Sequence, residues 1–96
     1  MIDKVHSTNV LGLEPTEELG KAIIAMRYDC ILPIIEGMIQ EAQRQEKGDR
    51  GRGRVKLADR LASFVRSLES VQSDGEKLVA ICRPYIEEEK RLQTEE

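Results

Sequence analysis

Aromatic side chains are almost missing from this chain. Phe64, Tyr28 and Tyr85 are all it has, and tryptophan is absent. Leucine, isoleucine, valine, alanine and methionine must therefore fill the core. Histidine is scarcer still, with His6 alone in a start that shows no helical period. Without a Cys-x-x-Cys pair or a histidine cluster there is no zinc-type ligand set, and the Glu-x-x-His motif of di-iron bundles is absent. Cys30 and Cys82 are too few for a disulfide framework. Both fall on apolar helix faces, which predicts sheltered, reduced thiols and a cytoplasmic protein.

Long hydrophobic runs are missing too. No stretch approaches the roughly 20 apolar residues that a membrane span needs. The start, MIDKVHSTNV, lacks the basic-then-apolar pattern of a secretory leader, so no membrane partner is expected. The net charge of −3 exerts no global pull toward nucleic acid. Gly48, Gly51 and Gly53 do not form a phosphate-binding P-loop, because no lysine–serine or lysine–threonine closes such a run. The glutamates Glu36, Glu41 and Glu46 recur every five residues, which spreads them around a helix instead of gathering them at a metal. No catalytic residue, metal site or cofactor emerges.

What is present is helical periodicity. Hydrophobic residues make up 40% and charged residues 34%, a composition that suits a folded helical domain with solvated outer faces. Residues 1–13 read as an extended arm. Pro15 fits a first helical position, and Glu17 and Glu18 suit the positive end of a helix dipole. A helix is predicted over 15–47, carrying two apolar stripes: Leu19, Ile23, Met26, Cys30 on one, and Ile24, Tyr28, Ile31, Ile35, Met38, Ala42 on the other. Pro33 predicts a kink, since the second stripe keeps its phase through it; the alternative is a full break.

A basic loop follows at 48–54, then a helix over 55–72 on the stripe Leu57, Leu61, Phe64, Leu68 and Val71. Ser73 stands three before Glu76, the spacing of a capping box, and predicts a turn into a third helix over 74–92. Its core candidates are Leu78, Cys82, Tyr85 and Leu92, with Pro84 again predicting a kink and 93–96 a frayed tail. The fold expected is all-α: a single three-helix bundle with a long kinked first helix, or a four-helix bundle if the chain breaks at Pro33. A long first helix would overhang the others. Its apolar residues Ile31, Ile35, Met38 and Ile39 would then need cover, and a homodimer is the simplest cover.

Function is less legible. Within residues 43–60 seven basic residues face three acidic ones. Arg50, Arg52 and Arg54 alternate with glycine there, a pattern able to bind phosphate. The segment has no ring for a base to stack on, and it sits where the chain must reverse, so an interhelical connector is the favoured reading. The chain therefore reads as a small interaction or regulatory protein acting by protein–protein association. A nucleic-acid-associated protein using the arginines is the alternative. An enzyme or small-ligand carrier with a core site near Tyr28, Asp29 and Cys30 is the third class.

Overall fold

The computed structural model describes residues 6–95 and is all-helical, with no named strand among them. Its elements are α1 (Glu17–Ile24), a short 3-10 turn (Tyr28–Cys30), α2 (Leu32–Gly51) and α3 (Val55–Glu95). The start of the expected arm, residues 1–5, lies outside the described residues. Further on, Val10 and Leu13 exchange backbone hydrogen bonds of 3.0 and 2.8 Å around a two-residue turn. Both central residues, Leu11 at φ 51° and Gly12 at φ 83°, are left-handed, as a tight hairpin turn requires.

The first predicted helix is corrected: it is interrupted, and the interruption precedes Pro33. The α1 segment begins at a Thr16 cap, whose Oγ1 accepts from the Leu19 amide, so Pro15 lies just outside the helix. It ends after two turns. Pro33 then falls in the first turn of α2, where a missing N–H breaks no helical bond. The turn before Pro33 and α2 after it both pack on α3, so the second stripe keeps its phase from Tyr28 onward.

The second correction concerns Ser73. No cap forms there, and α3 runs unbroken from Val55 through Ser73 and Pro84 to Glu95. Its apolar stripe continues in phase across the candidate cap, and packing along that stripe outweighs a local preference for capping. The basic loop also contracts. Residues 48–51 complete α2, and only 52–54 connect it to α3.

α2 and α3 form an antiparallel hairpin whose register is fixed by three contacts. Near the tip, Arg50 reaches Asp59. In the middle, Ile39, Ala42, Val65 and Leu68 make one buried cluster with Ile35 packed against it. At the far end the Leu32 side chain lies over Gly75, where an added Cβ would meet its Cδ2 at 2.9 Å. Beyond Gly75, α3 therefore extends past the start of α2. Among the described residues, that second half of α3 is met chiefly by the turn before α2: Arg27 donates to Gln93 at 2.6 Å, and Ile86 is buried.

The result is elongated, 54 × 29 × 21 Å. Its radius of gyration is 17.0 Å, against about 12.5 Å for a compact domain of this length.

Candidate interaction surface

The arginines of the connector are built into its geometry. α2 ends on Gly53 at φ 81°, with Gly53 N–H donating to Arg50 O (3.1 Å) and Arg54 N–H to Asp49 O (2.8 Å). That pair of bonds is a Schellman motif, and it needs a residue without a Cβ penalty at the left-handed position. Arg50 donates to Glu46 within α2 (2.8 Å) and across to Asp59 in α3 (3.0 Å), and these hydrogen bonds, Glu46 first, raise its pKa. Arg52 and Arg54 both approach Asp49, at 3.6 and 3.4 Å. All three proposed phosphate ligands thus face carboxylates of their own chain, and Arg50 bridges the two helices.

The second sequence candidate, around Tyr28, Asp29 and Cys30, is also a tie between elements. Arg27 grips Asp29 through Nε (2.6 Å) and Nη2 (3.2 Å), with Lys90 of α3 at 3.8 Å. The Arg27 hydrogen bond holds the Asp29 carboxyl below its ordinary pKa, against partial desolvation, and Lys90 adds to the lowering. A cavity of about 370 Å³ opens beside this tie, with Tyr28 and Met26 on one wall and Cys82, Tyr85 and Glu89 of α3 on the other. Among the described residues no cluster of three or more histidine, cysteine or acidic side chains could hold a metal, and both cysteines are free. None of the described helices is long and apolar enough to cross a membrane.

The residues assigned to a dimer contact are divided by the fold. Ile31 and Ile39 are buried inside the chain, and Ile35 packs against its core. Only Met38 remains largely exposed, with Ile34 beside it. The apolar surface left over lies mainly on α3 instead. Leu57, Phe64, Val71, Leu78, Tyr85 and Leu92 recur every seven residues, and each is between 39% and 72% exposed. A row at heptad spacing drifts by about 20° per heptad around a straight helix, and stays against a neighbour along its length where the two helices supercoil. Between these positions lie Leu61, Leu68, Gly75 and Cys82, which turn inward. Sequence reading found both halves of this row but divided them at Ser73. The seven-residue interval from Val71 to Leu78 was the signal that they belong together.

The hairpin has two unlike sides. One carries a groove of about 300 Å³ lined chiefly by polar residues, among them Glu36, Gln43, Glu69, Gln72 and Glu76. At about 100° per residue, the seven-residue row lies on the other flank of the buried stripe of α3, and Ile34 and Met38 lie on the matching flank of α2. In an antiparallel pair those flanks point the same way. Ile34, Met38, Leu57, Phe64, Val71 and Leu78 therefore form one apolar side.

Fold and surface together define a class: an elongated α-helical hairpin, polar on one side and apolar on the other. No protein-family model, curated protein or solved structure matches the chain, so the reading of its function rests on this geometry.

Proposed function

We propose that the chain works by protein–protein association, with the apolar side of the α2–α3 hairpin as its contact surface. The exposed seven-residue row on α3 carries this reading. Exposed apolar residues scattered singly need no explanation, whereas a contiguous apolar side on a water-soluble helix marks a docking surface. The total accessible surface of 7732 Å² supports it. A compact chain of 10.9 kDa exposes about 5,600 Å², so about 2,100 Å² is in excess. A stable homodimer or permanent complex buries at least about 1,000 Å² per partner, and the excess exceeds that. Free Cys30 and Cys82 fit a reducing cytoplasm as the setting.

The test is a paired capture from the native cell, using the parent and a Phe64→Glu/Leu78→Glu variant. Both substituted positions are exposed, so the helical circular-dichroism spectrum should persist. Complexes retained by the parent and lost by the variant support the reading. Identical complexes with both proteins would remove this surface from any role in association.

A further inference from the structure

We propose that the occupant of this surface is a second copy of the chain, docked with the two α3 helices antiparallel along the Leu57-to-Leu92 row. This rests on the association reading and adds the partner and its orientation.

The first argument is the mismatch within one chain. The first half of α3 is paired with α2, whereas beyond Gly75 its neighbours among the described residues are chiefly those of the short turn around Arg27 and Asp29. Ile81 and Tyr85, both more than 70% exposed, lie on this underpaired half. An antiparallel second copy sets the hairpin half of one chain against the underpaired half of the other. The row then matches itself. Leu57 meets Leu92 of the second copy, Phe64 meets Tyr85, and Val71 meets Leu78, about a two-fold axis near Asp74 and Gly75. Each end of the dimer becomes a three-helix cross-section, which closes the core that a single hairpin leaves open.

Charge supplies the orientation. Residues 47–60 hold six basic and two acidic side chains, while 87–96 hold two basic and five acidic. Antiparallel packing brings these oppositely charged ends together twice. Along the edge of the row, Arg60 comes opposite Glu88 of the second copy, and Glu88 is already oriented by Arg91 at 2.6 Å. Parallel packing would instead stack Arg60 on Arg60 and Glu88 on Glu88, and such like-charge contacts select against it. Asp74 meets its own copy at the axis, the one unfavourable contact of the antiparallel arrangement.

Sedimentation equilibrium of the purified parent, Arg60→Glu and Arg60→Glu/Glu88→Arg proteins tests this, with helicity checked for each. The parent should weigh twice 10.9 kDa and dissociate as salt is raised. Arg60→Glu should weaken the dimer by about tenfold or more, and the double swap should recover most of that loss, as expected for close charge pairs across an interface. A parent that stays monomeric at about 100 µM overturns the inference, because mass action should fill such a dimer there. A dimer that Arg60→Glu tightens, or that the double swap fails to rescue, overturns the antiparallel orientation. A monomeric parent whose cellular complexes still require Phe64 and Leu78 would leave the association reading standing with a different partner. Complexes indifferent to both residues would remove that reading as well.

Discussion

The two halves of α3 share one repeat and differ in what fills it. From Val55 to Gly75 the helix buries Ala58, Val65 and Leu68 against α2, and the tip is closed by a Schellman motif and the Arg50 bridge. From there to Thr94, Ile86 alone is buried among the described residues, and the ties include the Arg27, Asp29 and Lys90 cluster with Gln93. A heptad repeat specifies a seam along a helix. It does not specify whether the chain itself or another molecule occupies that seam.

Matched truncations break this comparison most directly. Ile39→Ala, in the hairpin cluster, should cost about 2–5 kcal/mol in a denaturant titration, the range for large-to-small changes in a packed core. The same truncation at Ile86 should release the N-terminal segment from α3 while hairpin amides stay protected in hydrogen exchange. Global unfolding by Ile86→Ala would show that the two halves are one cooperative unit.

Smaller effects sharpen it. Gly53→Ala forces a side chain into a left-handed position and should destabilise the hairpin by about 1–2 kcal/mol. Gly37→Ala should do the opposite. Nothing lies within 4 Å of the added Cβ and Gly37 sits inside α2, so a gain of about 0.5–1 kcal/mol is expected on thermal unfolding. Acid should loosen the tie that holds the second half. The Asp29 pKa is lowered in the fold, so its tie contributes in full above the unfolded value and is lost as pH falls through the lower folded one. Fluorescence of Tyr28 and Tyr85 should therefore change below about pH 4, the unfolded carboxylate range, and Asp29→Asn should abolish that change.

The residues that made the all-helical architecture legible were the apolar stripes, and α3 from Leu57 to Val71 is where the reading was firmest. Phase continuity was applied unevenly. At Ser73 the stripe ran on and the helix followed it, against a capping signal worth little beside packing over many turns. At residues 25–31 the stripe also ran on, yet the chain broke, and Pro33 opens the next helix, whereas Pro84 lies inside α3 without ending it. Periodicity reports which side of a segment is apolar, and not whether the helix carrying it is continuous. The ties made by the arginines were hidden for a different reason. Their partners Asp49 and Asp59 are close in sequence, but the direction of each side chain depends on the turn that Gly53 permits. The dimer candidates Ile31 and Ile39 were recognisable as buried residues; whether by this chain or another, only the hairpin register could decide.

The central claim is an antiparallel seam between two α3 helices, and one distance tests it. Nitroxide labels on Lys56→Cys, in a Cys30→Ser/Cys82→Ala background, report the separation of the two copies of residue 56 by pulsed electron resonance. Antiparallel packing about Asp74 and Gly75 places them about 55 Å apart, at 1.5 Å of rise per residue. A separation of about 10–15 Å, which parallel packing of neighbouring helices would give, contradicts the account.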